Sequence, residues 1–136
     1  MKRLKVLHVD DCDDVRTVVG LTLRSVGGMD VTQSASGPEA MEAVAGEEFD
    51  ILLLDVMMPE ITGPELLSYL RAQPRFRTTP AVFLTAKADQ DFIDQLIKAG
   101  AAAVITKPFD AMHLPEDLTR ILDEYRAHGG ANIAAQ

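Results

Sequence analysis

Two adjacent carboxylates at Asp10 and Asp11, a third at Asp55, a hydroxyl at Thr85 and an ammonium at Lys107 are the residues whose types could do chemistry together. Each stands at or just after the end of a short apolar run, although they are scattered along the chain. Gathered in one place, three carboxylates and one ammonium leave a net charge of about −2, which would push at least one carboxyl above its usual range. A divalent cation restores neutrality. All the available ligands are hard oxygens and no Cys/His set is nearby, so the expected metal is Mg²⁺, with Mn²⁺ as the alternative and with waters kept in its shell. A carboxylate beside such a cation and a lysine can attack a phosphoryl group, because the positive charges neutralise the transferring oxygens while the carboxylate supplies the nucleophile. Asp55 is the best candidate for that nucleophile, and Thr85 can donate its hydroxyl to the resulting acyl phosphate.

Elements of a particular kind must bring these residues together. Short apolar runs alternate with amphipathic stretches five times along the chain, the signature of βα units. Strands are expected at 4–9, 30–35, 50–54, 81–84 and 102–105. The third contains four consecutive aliphatics, as suits a parallel strand covered on both faces. Helix starts are legible at Ser36-Gly37-Pro38-Glu39 and Thr62-Gly63-Pro64-Glu65, both of which fit the capping box. Gly27-Gly28 after Arg24 and Gly100 after Lys98 fit left-handed helix ends with a cation in the last turn. In the last helix Leu114, Leu118, Ile121, Leu122 and Tyr125 form one apolar stripe at three- and four-residue spacing. Right-handed crossovers then give an open, doubly wound parallel sheet of the α/β class, in which ligands bind outside the carboxyl ends of the strands. Those ends carry Asp10-Asp11, Asp55, Thr85 and Lys107.

Composition narrows the functions. The 136 residues make one domain by length, and a net charge of −8 with a pI near 4.7 repels phosphate backbones and anionic lipid. Nucleic-acid and membrane partners are therefore not expected. Arg71, Arg75 and Arg77 flank a helix end, where cations suit the dipole. No apolar run approaches the ~20 residues of a membrane span. The single cysteine, Cys12, cannot close an internal disulfide, which fits a cytoplasmic location.

Taken jointly, Val9-Asp10-Asp11, Leu53-Leu54-Asp55-Val56-Met57-Met58-Pro59 with Gly63 following, Leu84-Thr85-Ala86 and Lys107-Pro108-Phe109 resemble the receiver domain of two-component response regulators over about residues 3–126. The resemblance implies a flavodoxin-like (βα)5 fold with strand order 2-1-3-4-5. It implies that Asp55 accepts a phosphoryl group from a sensor histidine kinase or a histidine phosphotransfer protein. It also implies that Asp11, Asp55 and the backbone carbonyl of Met57 hold Mg²⁺, with Asp10 acting mainly through water, and that Lys107 contacts the phosphoryl group and precedes a cis proline bond. The expected organisation is a receiver unit at 1–126 and a short tail at 127–136, with no output domain. The chain would then signal to a protein target or relay phosphoryl groups, as a monomer or a weak phosphorylation-dependent dimer, and would catalyse nothing beyond its own phosphorylation and dephosphorylation.

One position departs from the family pattern: Val104 stands where an aromatic switch residue is usual, three residues before the lysine. The positions two after Asp55 and two after Thr85, which influence phosphoryl lifetime in the family, hold Met57 and Lys87. Two other classes fit the residues less well. An aspartyl-phosphate phosphatase or phosphotransferase of the haloacid-dehalogenase type needs a second acid two residues after the nucleophile, where Met57 stands. A receiver used only as a non-phosphorylated scaffold would show a lost acid or lysine, and all are retained.

Overall fold

The computed structural model describes residues 3–129. Five parallel strands form one sheet: β1 (Lys5–Val9), β2 (Asp30–Ser34), β3 (Ile51–Asp55), β4 (Ala81–Thr85) and β5 (Ala103–Thr106), ordered β2-β1-β3-β4-β5. Between and after them run α1 (Asp13–Ser25), α2 (Gly37–Ala43), α3 (Gly63–Arg71), α4 (Gln90–Lys98) and α5 (Leu114–Ala127). This is the flavodoxin-like doubly wound architecture expected from the sequence. α5 runs through Ala127, one residue into the span expected as a tail, and 130–136 lie outside the described residues.

The aliphatic run of β3 is read on alternate faces. Leu52 and Leu54 join Leu66, Leu67 and Leu70 of α3, with Ile93 and Leu96 of α4, in one core. Ile51 and Leu53 join Val19 and Leu23 of α1 and Leu118, Ile121 and Leu122 of α5 in the other. Burying each such leucine contributes roughly 1.5–3 kcal/mol, so both layers are held chiefly by apolar burial. All five members of the predicted α5 stripe are buried.

Strand ends shift by a residue from expectation, and the shift matters. Asp55 and Thr85 are the last residues of β3 and β4 rather than the first of their loops. Their surroundings are tied into the ladder by Val56 N–H to Leu84 O at 3.1 Å and Lys107 N–H to Thr85 O at 2.7 Å. Asp50 stands outside β3, its Oδ2 accepting from Lys5 N–H at 2.8 Å.

Caps follow the sequence with one correction. Thr62 and Glu65 form the full reciprocal box at the start of α3. At α2, Ser36 accepts from Glu39 N–H, but the Glu39 carboxylate accepts from Ala35 N–H, one residue earlier than a box requires. Gly28 and Gly100 take positive φ after α1 and α4, as expected of left-handed helix ends.

Candidate functional site

Strand alternation gathers the charged residues. By period two, Val6, His8 and Asp10 share a side with Ile51, Leu53 and Asp55, and with Ala103, Ile105 and Lys107. The apolar members of all three rows pack in the α1/α5 core. One step past the last strand residue or at it, each row ends in a charge at the same edge of the sheet. Lys107 Nζ lies 3.3 Å from Asp10 Oδ2 and 3.1 Å from Asp55 Oδ1. Asp11 is exposed, yet one oxygen from each of Asp10, Asp11 and Asp55 lies within 4.8 Å of the others.

Asp10 is fully buried and its polar atoms are used: Oδ1 accepts from Cys12 N–H at 2.9 Å, and its carbonyl accepts from Arg16 Nη1 at 2.6 Å. Asp55, 5% exposed, has its carboxyl pushed up to about 6, by burial first and then by the Asp10 charge. Lys107 pulls it down through a hydrogen bond and its charge, and a hydrogen bond with Asp11 adds a smaller upward push. Burial lowers Lys107, but Asp10 and Asp55 outweigh that and leave it above its ordinary value. Burial is the larger cause of the raised Asp55, and the Asp10 charge adds to it in the direction that the charge count anticipated. Hard oxygen donors short of positive charge fit a divalent cation, and these three acids could hold one.

Thr85 is 2% exposed, and its Oγ1 accepts from Lys87 N–H at 3.0 Å. Met57 follows Asp55 by two residues with its side chain 70% exposed, and among the described residues its carbonyl accepts no hydrogen bond. The Lys107–Pro108 bond is cis. The Asp55–Val56 turn is shaped by Gly63: a Cβ there would stand 2.4 Å from Asp55 O and 3.1 Å from both Val56 Cα and Phe83 Cε1. Only glycine lets α3 begin this close to the end of β3.

A supporting layer was not legible in the sequence. Arg16 pairs with Asp13 and reaches the Asp10 carbonyl, while Gln33 Nε2 donates to Arg16 O at 2.8 Å and to His8 Nδ1 at 3.0 Å. The Asp13/Arg16 spacing was the one local signal; the Gln33 contacts join residues that only the β1–β2 pairing brings together. Two of the three arginines near α3 serve the fold. Arg71 donates to the carbonyls of Phe76 and Thr79, and Arg75 donates to Val44 O and lies over the Phe76 ring.

Residues 6–119 match the family model of the response regulator receiver domain. The chemotaxis protein CheY of Pseudomonas aeruginosa is 32% identical over 120 residues, 88% of this chain and 97% of that protein. Chemotaxis protein CheY-3 of Vibrio cholerae is 32% identical over 122 residues, covering 90% and 94%. Among solved structures, the chemotaxis response regulator CheY4 of Vibrio cholerae superposes with a TM-score of 0.82 at 32% identity, covering 88% of this chain and 99% of that one.

Proposed function

The chain belongs to the response regulator receiver domain family, and from that premise we propose that Asp55 is its phosphoacceptor, taking a phosphoryl group from a phosphohistidine of a sensor histidine kinase or histidine phosphotransfer protein. The observation that carries this reading is the Lys107 ammonium held between the carboxylates of Asp10 and Asp55 at a sheet edge. An Asp55 oxygen attacks phosphorus, the phosphorus–nitrogen bond of the donor breaks, and the electron pair leaves with the imidazole, which takes up a proton. With its pKa near 6, Asp55 is mostly ionised at neutral pH and so available as the nucleophile. Lys107 offsets negative charge on the phosphoryl oxygens. The Thr85 hydroxyl hydrogen, which has no acceptor among the described residues, is free to donate to one of them. Asp10, Asp11, Asp55 and the Met57 carbonyl would hold Mg²⁺, or Mn²⁺ in its place, which when bound supplies further positive charge to those oxygens.

The protein is a signalling domain; the only reactions assigned to it are its own phosphorylation and dephosphorylation. Its output is then a protein target or a further phosphoryl carrier, reached as a monomer or a weak phosphorylation-dependent dimer. The acidic charge argues against nucleic acid, and no helix among the described residues is long and apolar enough to cross a membrane. A cytoplasmic location suits such partners.

Intact-mass measurement after incubation with acetyl phosphate and Mg²⁺ tests the assignment. A single phosphoryl adduct is expected in the wild type and none in Asp55→Asn or with excess chelator. Incorporation undiminished in Asp55→Asn would refute it. No adduct from acetyl phosphate or from a phosphohistidine donor would leave a binding module as the better reading.

A further inference from the structure

A continuous chain of contacts joins Thr85 to α4 through Lys87. By alternation, Thr85 falls with Ala81 and Phe83 on the side of the sheet that packs against α3 and α4, opposite to Asp10, Asp55 and Lys107. Its Oγ1 accepts from Lys87 N–H. The Lys87 ammonium sits over the Phe92 ring, 4.7 Å from the centroid. Phe92 lies in the first turn of α4, where Asp89 caps it: Phe92 N–H donates to Asp89 Oδ1 at 3.1 Å and Ile93 N–H to Asp89 O at 3.0 Å. Strand end, loop cation and first helical turn are therefore one connected unit.

The helix at the end of this chain is lightly held. Of the nine residues of α4 only Ile93 and Leu96 are buried, with Phe92 and Ile97 partly buried against the core. Beneath it β5 presents Val104, fully buried and without a polar atom that could respond to a charge at the strand ends. Lys107 is already engaged by Asp10 and Asp55, whereas Lys87 is exposed and held at its tip by an aromatic face.

We propose that Lys87 is the positioning residue that couples the phosphoryl state of Asp55 to the first turn of α4. The inference rests on the phosphoacceptor reading above. In the unmodified protein the ammonium braces Phe92. A phosphoryl group adds about −1.5 to −2 charge at the strand ends. Once an ammonium comes within about 4 Å of that charge, the attraction exceeds an exposed cation–π contact. Lys87 and the Thr85 hydroxyl turn toward the phosphoryl group together, Phe92 loses its brace, and the first turn of α4 loosens.

Amide hydrogen exchange at Phe92 and Ile93 tests this in the wild type, Lys87→Met and Lys87→Arg, each with and without acetyl phosphate and Mg²⁺, with adduct content read by intact mass. Without phosphorylation, Lys87→Met should exchange about two- to fivefold faster than the wild type at these amides, the effect of losing one exposed cation–π contact. Phosphorylation should accelerate the wild type and Lys87→Arg by a similar factor and add nothing in Lys87→Met. Equal acceleration of the wild type and Lys87→Met, or an adduct with unchanged exchange in the wild type, would overturn the proposal while leaving the phosphoacceptor reading intact. No adduct in the wild type, either from acetyl phosphate or from a phosphohistidine donor, would remove that reading and this proposal with it.

Discussion

On the proposed phosphoacceptor reading, Met57 sets a rate without its side chain touching the reacting atoms. It stands two residues past Asp55 with most of its surface in solvent, in the loop beside the carboxylate cluster. Hydrolysis of an acyl phosphate there requires water to approach the phosphorus, and a thioether side chain obstructs that approach while offering only a weak acceptor to orient the water. Met57→Asn replaces the obstruction with an amide that can hold a water, so phosphoryl lifetime should fall about threefold to tenfold, or ~0.7–1.4 kcal/mol of barrier. Following the decay of the phosphorylated protein by intact mass checks this; an equal or longer lifetime in the variant would remove the idea. The acids, the threonine and the lysine were legible at the residue scale because each ends an apolar run. Arg16 and Gln33 were not, because their roles depend on a carbonyl and a ring nitrogen supplied by other elements.

At the scale of elements, the sequence pattern located every strand to within a residue: β3 and β4 are buried throughout and read as apolar runs, while the edge strand β2, with a mixed pattern, was placed by the βα rhythm around it. What it did not reveal is how tightly the elements abut at the site. Gly63 reads in the sequence as part of a helix start, Thr62-Gly63-Pro64-Glu65, yet the spatial demand on it comes from the end of β3 and from Phe83 of β4. Gly63→Ala would drive a methyl into Asp55 O, a backbone atom that cannot yield without moving Asp55. The expected cost is about 2 kcal/mol or more, read as a lower urea midpoint, together with slower phosphorylation by acetyl phosphate. Ser36→Ala, which removes only a cap hydrogen bond at α2, should cost about 1 kcal/mol and leave phosphorylation unchanged. A Gly63→Ala variant as stable and as fast as the wild type would mean that α3 can slide away from β3 without consequence.

For the whole molecule, the cost of building a charged site on a buried sheet is carried in part by His8. It is fully buried in β1, where Gln33 Nε2 donates to its Nδ1, so Nε2 carries the ring hydrogen, and that atom has no partner among the described residues. Its pKa is lowered to about 3, by burial first and then by the charges of Lys107 and Arg16. Protonation would also turn Nδ1 into a donor facing the Gln33 amide hydrogens. Above pH 6.5 the ring is neutral whether folded or unfolded, and stability is unaffected. As pH falls below 6.5 the unfolded chain takes up a proton that the folded protein refuses, so stability drops progressively until about pH 3. Between pH 7.5 and 5 this group alone should remove about 2 kcal/mol. Urea unfolding at both pH values, in chelator to keep metal out, should show that loss in the wild type and a loss smaller by about the same amount in His8→Val. The comparison is of differences between the two pH values, so any packing defect from the substitution cancels. If His8→Val loses as much stability as the wild type on acidification, the acid sensitivity lies elsewhere, and the buried imidazole is a passive part of the sheet.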